Sequence, residues 1–387
     1  MNILIMCNCI TEKCLERRNN SDYMAASSRK KLLAMSKELE SLGHHVDISS
    51  VSFSKYTDRL FIENISKKIR ILHAPTLGLW GITSFFKKSI SMLFHIIWIL
   101  LHLRHYQVMM IYNYHVEFSF PGLFAKLLSM IRIVSPFKLI MNYEDGLFLD
   151  KGFKGFFYRQ WEKCVYNYVD TFLLVNEGLK NRVLEFFPDK QDFVTVNGFI
   201  DCDLLEKNKT QKHVQINRIL FSGNFTQGFG FNQLIEYAEN IEQSIIFDIT
   251  GNAEQHEIET LKNRINHLPN VHFHGFLNET DFLNLIDGAD AFVLLNDIQS
   301  PNNNTNFPSK FFDYLSRNKL VITSHNPILT EYYHIKNIIL LKKFPCDVKR
   351  IRELSKTCEN DYSGIKQLSK KIRDNLNKLI TSDYSKI

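Results

Sequence analysis

The segment Asn306-Phe-Pro-Ser-Lys-Phe-Phe-Asp-Tyr-Leu-Ser-Arg-Asn-Lys-Leu-Val-Ile-Thr323 carries an imide, a hydroxyl, a cation and a carboxylate at helical spacing. Pro308 suits a first helical position, because its missing N–H costs nothing there. The free amides of Ser309 and Lys310 would then point out of the helix start, where the dipole favours an anion. Lys310 adds a mobile positive charge. Asp313, four residues after Ser309, lies on the same face, and a carboxylate there can accept two hydrogen bonds from a vicinal diol such as a ribose. Phosphate at the helix start and sugar one turn further in describe a nucleoside diphosphate. Spacing alone is equally compatible with an ordinary helix that starts at a proline and solvates an acid.

Other polar groups stand just after apolar runs. Tyr112-Asn-Tyr-His-Val-Glu117 follows a strand-like stretch, so His115 would sit at the edge of a cleft. Asn142-Tyr-Glu-Asp-Gly146 follows Lys138–Met141 in the same way, and two adjacent acids are poorly suited to a core without partners. Glu144 or Asp145 could bind acceptor hydroxyls or position an attacking one; turn chemistry is the plain alternative. Arg17 and Arg18, after the first strand, suit an anionic acceptor or simple surface solvation. Three metal-like patterns lack support. Asp201-Cys-Asp203 falls in a linker, His272 and His274 lack a third ligand, and Cys7-x-Cys9-x4-Cys14 has no second Cys/His pair nearby.

These groups need elements to hold them. Strand-like runs alternate with helical patterns from Asn2–Met6 to Phe193–Val196, and again from Ile219–Ser222 to Ile338–Leu341. Such alternation argues for α/β architecture with parallel sheets covered on both faces. A polar stretch at 197–215 separates the two series as a linker. The expected organisation is an N-terminal Rossmann-like domain at 1–198, a C-terminal Rossmann-like domain at 199–365, and a terminal helix at 366–387. At 387 residues, two domains match the usual domain size. The net charge of +6 favours phosphates or a bilayer surface and falls short of a nucleic-acid footprint. Met1–Met6 has no cationic leader and reads as a strand rather than a secretion signal, so the seven cysteines are expected reduced. Ser89–Leu103 is apolar but too short to span a bilayer; it reads as a core helix or a partly inserted one.

The chain resembles the group 1 glycosyltransferases, chiefly over its C-terminal half. Ile219-Leu-Phe-Ser-Gly-Asn224 is similar to that family's opening strand and glycine loop. Phe247-Asp-Ile-Thr-Gly251, Val271-His-Phe-His-Gly-Phe276 and Ala289-Asp-Ala-Phe-Val-Leu294 are similar to its next strands and turns. The segment from Phe307 to Ser324 is similar to its donor-binding helix and following strand. The resemblance implies the GT-B fold, two Rossmann-like domains facing an interdomain cleft, plus the C-terminal helix. It also implies retaining transfer of a sugar from a nucleotide diphosphate, with no obligatory metal and no cofactor beyond a UDP- or GDP-linked donor. Asp313 matches the second acid of the family's paired-acid motif, and Thr305 stands where the first would fall. Asn304, Thr305 and Asn306 are therefore expected to hydrogen-bond the donor sugar instead. Gly223 and Asn224 would face the phosphates. The loop Gly223-Asn-Phe-Thr-Gln-Gly-Phe-Gly230 lacks the family's loop cations, which leaves Lys310 to neutralise the departing diphosphate.

These observations converge on a cytoplasmic hexosyltransferase acting on a glycan or lipid-linked acceptor in surface polysaccharide assembly. His115, Glu144, Asp145 and Lys310 are its expected catalytic groups, and Arg17 and Arg18 are acceptor contacts. Peripheral contact with the inner face of the cell membrane is expected, and nucleic acid is not. A nucleotide-sugar epimerase of related fold, or a non-catalytic member binding glycans or partner transferases, is the alternative.

Overall fold

The computed structural model describes residues 1–19, 26–51, 54, 56–76, 84–144, 152–210, 215–225, 230–295, 307–308, 310–359 and 361–382. The chain forms two compact units: Met1–Phe199 with Lys371–Ile387, and Ile200–Lys370. In the first unit the order is β1 (Asn2–Cys7), α1 (Glu12–Arg17), α2 (Ala26–Ser41), β2 (His45–Ser50), β3 (Phe61–Asn64), β4 (Ile69–His73), α3 (Ser84–His102), β5 (Val108–Tyr112), α4 (Val116–Met130), β6 (Lys138–Tyr143), α5 (Gly152–Tyr168), β7 (Thr171–Leu174), α6 (Gly178–Phe186) and β8 (Phe193–Thr195). These strands make one sheet in the order β3-β4-β2-β1-β5-β6-β7-β8, parallel except for the β3–β4 pair.

The middle strands are near-continuous apolar runs because both of their faces are covered. Ile3 to Cys7, Val108 to Ile111 and Leu139 to Met141 are all fully buried. Gly122 brings α4 close to this sheet, since a Cβ there would come within 2.7 Å of Ile111. Buried charges are paired: Lys126 Nζ lies 2.6 and 2.8 Å from the two Asp170 oxygens, and Asp170 also accepts the Leu139 N–H at 2.7 Å.

The second unit continues with α7 (Cys202–Lys207), β9 (Arg218–Asn224), α8 (Phe231–Asn240), β10 (Ile246–Asn252), α9 (Gln255–Ile265), β11 (Val271–Phe273), α10 (Glu279–Gly288), β12 (Ala291–Leu294), α11 (Lys310–Ser316), β13 (Leu320–Ser324), β14 (Ile338–Leu341), α12 (Ile351–Ser355) and α13 (Tyr362–Thr381). Its sheet is fully parallel, in the order β11-β10-β9-β12-β13-β14. Both units are therefore Rossmann-like, with a reversal of strand order between β1 and β5 in one and between β9 and β12 in the other. Ligands of such sheets bind beyond the carboxyl ends of the strands at that reversal.

Three expectations change. The stretch at 197–215 is not simply a linker, because α7 lies within it. Asp201 caps that helix by accepting the Leu204 N–H at 3.0 Å, so the first acid of Asp201-Cys-Asp203 is spent on a helix end. The terminal helix starts at Tyr362 rather than 366, and its residues from Lys371 onward belong to the first unit, where Arg373 pairs with Glu38 at 2.7 Å. The third change concerns α3, which starts earlier than the expected Ser89 and runs amphipathically, burying His95 and Ile99 one turn apart.

Among the described residues neither His95 ring nitrogen has a hydrogen-bond partner, and burial holds its pKa down at about 3 against an ordinary 6.5. The folded state thus keeps the ring neutral while the unfolded chain takes up a proton below 6.5. Stability must fall as pH drops from about 6.5 toward 3, with about 2 kcal/mol lost by pH 5. Urea unfolding at pH 7.5 and pH 5 should show this loss in the wild type and lack it in His95→Leu. An equal acid loss in the variant would assign the effect elsewhere.

Candidate donor and acceptor sites

In the second unit, β9 and β10 run in register to their carboxyl ends, pairing Ser222 with Thr250 and Gly223 with Gly251. The two glycines let β9 and β10 close together at their carboxyl ends, on the strand next to the β9–β12 reversal. A Cβ on Gly251, whose φ is +148°, would fall 1.7 Å from the Gly223 carbonyl oxygen. Only glycine fits there, and the result is a flat edge of backbone against which phosphates can approach. Lys310, the first residue of α11, reaches over this edge and donates from Nζ to Ser222 Oγ at 2.6 Å. Its ammonium also stands 5.6 Å from the Phe282 ring centroid. Asp313 is exposed one turn along α11.

The helix itself differs from the expected one. Its bounds are Lys310–Ser316, so Pro308 lies outside it, and a helix this short has only a slight dipole. Behind it the packing is dense. Tyr314 stacks on Phe292 with centroids 3.9 Å apart, and Phe311, Phe312 and Leu315 are buried. That packing fixes the face on which Lys310 and Asp313 stand. Asn304, Thr305, Asn306 and Ser309 lie outside the described residues.

In the first unit, the ends of β5 and β6 are tied together. Asn113 adopts φ +54°, a left-handed conformation that asparagine tolerates well, and its Oδ1 accepts the Glu144 N–H at 2.7 Å. This turn puts His115 at the N-cap of α4, half-buried and edge-on to Phe118 at 5.9 Å. Glu144 is buried, with Lys31 Nζ 2.6 Å from Oε1 and 2.7 Å from Oε2. His115 and Glu144 thus share one sheet edge, and Lys31 from α2 neutralises the carboxylate. Asp145 lies outside the described residues.

The arginines after β1 are placed differently from a solvated pair. Arg18 is fully buried and donates to the Ala74 carbonyl at 2.8 Å. Arg17 grips Asp58 through Nε and Nη2, at 2.9 Å each, and lies over the Phe61 ring. Arg18 therefore anchors the loop from within. Arg17 keeps an exposed side with its charge shared.

Lys31 and Ser222 were not singled out by sequence reasoning. Ser222 lies inside the glycine-loop segment already noted, but its partner is 88 residues away; Lys31 sits 113 residues from Glu144, on a helix whose pattern reads only as amphipathic.

The family assignment comes from the second unit. Residues 204–376, somewhat less than half the chain, match the family model for glycosyl transferases group 1. This segment is similar to the group 1 glycosyltransferases. No curated protein sequence matches the chain. Solved structures nonetheless share its whole fold. HepE of Anabaena, solved with UDP and glucose, superposes with a TM-score of 0.61 at 12% identity over 100% of both chains. WaaG, a glycosyltransferase involved in lipopolysaccharide biosynthesis, gives 0.59 at 11% identity over 99% of this chain and 100% of that one. The lipopolysaccharide outer core galactosyltransferase WaaB gives 0.56 at 13% identity over 100% of both. At these identities the likeness is one of fold, and that fold is GT-B.

Within the matched segment, other polar groups are committed. Burial would raise the Asp248 carboxyl, but hydrogen bonds from Arg218 at 2.5 Å and His274 at 2.6 Å hold it below its ordinary value. Outside that segment, Cys7, Cys9 and Cys14 are fully buried, and burial pushes the Cys9 thiol up to about 12. Among the described residues no three His, Cys, Asp or Glu side chains converge as a metal site.

Proposed function

We propose that the chain transfers a hexose from a UDP- or GDP-linked donor to a glycan or lipid-linked acceptor, with retention at the anomeric carbon, during surface polysaccharide assembly. The observation that carries this reading is Lys310 held on Ser222 above the paired Gly223 and Gly251, inside the segment that matches the family. In the reaction the bond from the anomeric carbon to the β-phosphate oxygen breaks and the diphosphate leaves with the electron pair. The acceptor hydroxyl oxygen bonds to the same face of the sugar, and its proton departs with the diphosphate. Negative charge grows on the leaving oxygen in the transition state, so a fixed cation there lowers the barrier more than it stabilises the bound donor.

Lys310 supplies that charge. Asp313 accepts the ribose hydroxyls, and the backbone of Gly223 and Asn224 lines the phosphates. Asn304, Thr305 and Asn306 complete the donor-sugar contacts, and the Ser309 amide faces the phosphates. His115, Glu144 and Asp145 serve the acceptor and the reacting sugar in the first unit, with Lys31 positioning Glu144, and Arg17 lies at the outer edge of the acceptor region. No metal takes part in the scheme. The enzyme works in the cytoplasm, against the inner face of the membrane that carries its acceptor.

The test is donor turnover without added acceptor, followed as nucleoside diphosphate released from UDP-, GDP-, CDP- and ADP-hexoses. One nucleotide's conjugates should turn over slowly to an α-configured sugar if the donor is α-linked. An epimerised nucleotide sugar with no diphosphate released would replace this reading with the epimerase.

A further inference from the structure

The apolar surface of the first unit is concentrated on two neighbouring helices. Along α3, Leu93, Ile97 and Leu101 repeat every four residues and are 56%, 48% and 71% exposed, while His95 and Ile99 on the opposite face are buried. Helix α4 packs beside it, and Leu127, Ile131 and Ile133 at and beyond its end are similarly bare. The helices run side by side and turn at the same end of the sheet, because the strands that follow them pair Val108 with Lys138 in register. Of the large apolar side chains exposed among the described residues, most belong to α3, α4, α5 and the turn after α4. An apolar stripe of this size on a folded surface marks a site that something covers.

The charge around it identifies what. Residues 64–143 hold nine of the chain's 47 Lys and Arg, of which Lys126 and Lys138 are buried and Arg70 is paired with Asp47, and only one of its 41 Asp and Glu, the buried Glu117. The whole positive excess of the protein resides in this stretch, and the rest of the chain is slightly acidic. Arg104 and Arg132 are exposed at the ends of the two helices, and Lys87 and Lys88 fall near the start of α3. Protein interfaces favour Tyr, Trp and Arg at their centres. Here the exposed residues of α3 among those described are aliphatic and the cations flank them, the pattern of a helix lying in a headgroup layer. No described helix is long and apolar enough to cross a membrane, so contact would be with one leaflet.

We infer that the outer faces of α3 and α4 form a docking surface for an anionic bilayer, with Leu101 and Ile131 entering the interfacial layer and Arg104 and Arg132 on the lipid phosphates. This rests on the proposed membrane-side function for its purpose, but not for its measurement.

The full chain would be floated with phosphatidylcholine vesicles and with vesicles holding about 30% phosphatidylglycerol, in about 0.05 M salt. The wild type should bind the anionic vesicles about tenfold or more tightly than the neutral ones. The double variant Leu101→Glu/Ile131→Glu should bind about a hundredfold more weakly, with unchanged melting temperature and unchanged donor turnover. Arg104→Gln/Arg132→Gln should lose the preference for anionic lipid. No binding to anionic vesicles, or equal binding by the Leu101/Ile131 variant, overturns the inference. So does a wild-type dimer that becomes monomeric in that variant without any vesicle affinity, which would give the surface to a second copy of the chain. The vesicle assay contains neither donor nor acceptor, so its failure leaves the transferase reading intact, and failure of donor turnover leaves the docking surface intact.

Discussion

Replacing Lys310 by Met should lower donor turnover by about 10²–10³-fold, equivalent to about 3–4 kcal/mol of transition-state stabilisation. The size follows from its place. Lys310 is held at β9 by its 2.6 Å bond to Ser222. The glycine loop from Gly223 to Gly230 contains no Lys or Arg to share the load. The methionine keeps the length and apolar stem of the side chain, so Phe282 retains a neighbour and the fold should survive. Melting temperature should move by no more than about 2 °C, since surface substitutions usually stay within about 0.5 kcal/mol. Loss of turnover with unchanged stability and a modest change in donor affinity would place Lys310 on the leaving group. A drop in affinity alone, with the bound-state rate intact, would make it a ground-state anchor.

Gly251→Ala should be the most damaging single methyl in the second unit. The added Cβ would overlap the Gly223 carbonyl oxygen at 1.7 Å, and the backbone at φ +148° is one that an L-residue adopts only with strain. Because β9 and β10 pair through Gly223 and Gly251, relief requires the strands to separate where the donor phosphates are expected. A loss above about 4 kcal/mol is anticipated, or a fall of about 10 °C or more in melting temperature. Gly288→Ala is the matched control. Nothing lies within 4 Å of a Cβ there and the residue ends α10, so the change should be neutral or slightly stabilising. Equal melting temperatures for the two variants would mean that β9 and β10 do not approach as described.

Much of the fold was legible because central parallel strands must be apolar on both faces. Ile338–Leu341 appears in the structure with the bounds read from its apolar run. The β3–β4 pair was not legible: Phe61–Asn64 is a four-residue antiparallel edge, half-buried in alternation, and too short to stand out from the polar residues around it. Helix α7 escaped for a similar reason, since six residues burying only Leu205 produce no periodic signal.

The site divides along the same line. Lys310 and Asp313 could be read because helical spacing places them locally. The Lys310–Ser222 and Lys31–Glu144 contacts depend on how distant segments meet, which spacing does not encode. Arg18 shows the converse. Its type suggested a surface cation, but the β1 loop folds over it and uses its donors internally.

The most direct test of the donor site is a calorimetric titration of the full chain with UDP, GDP, CDP and ADP. One of the four should bind in a one-to-one ratio, and both Lys310→Met and Asp313→Ala should weaken it at least about tenfold, the cost of a lost charge-assisted hydrogen bond. If none of the four binds, or if the tightest binds both variants as well as it binds the wild type, the edge formed by Gly223, Gly251 and Lys310 is not a nucleotide site, and the chain is a non-catalytic member of its fold.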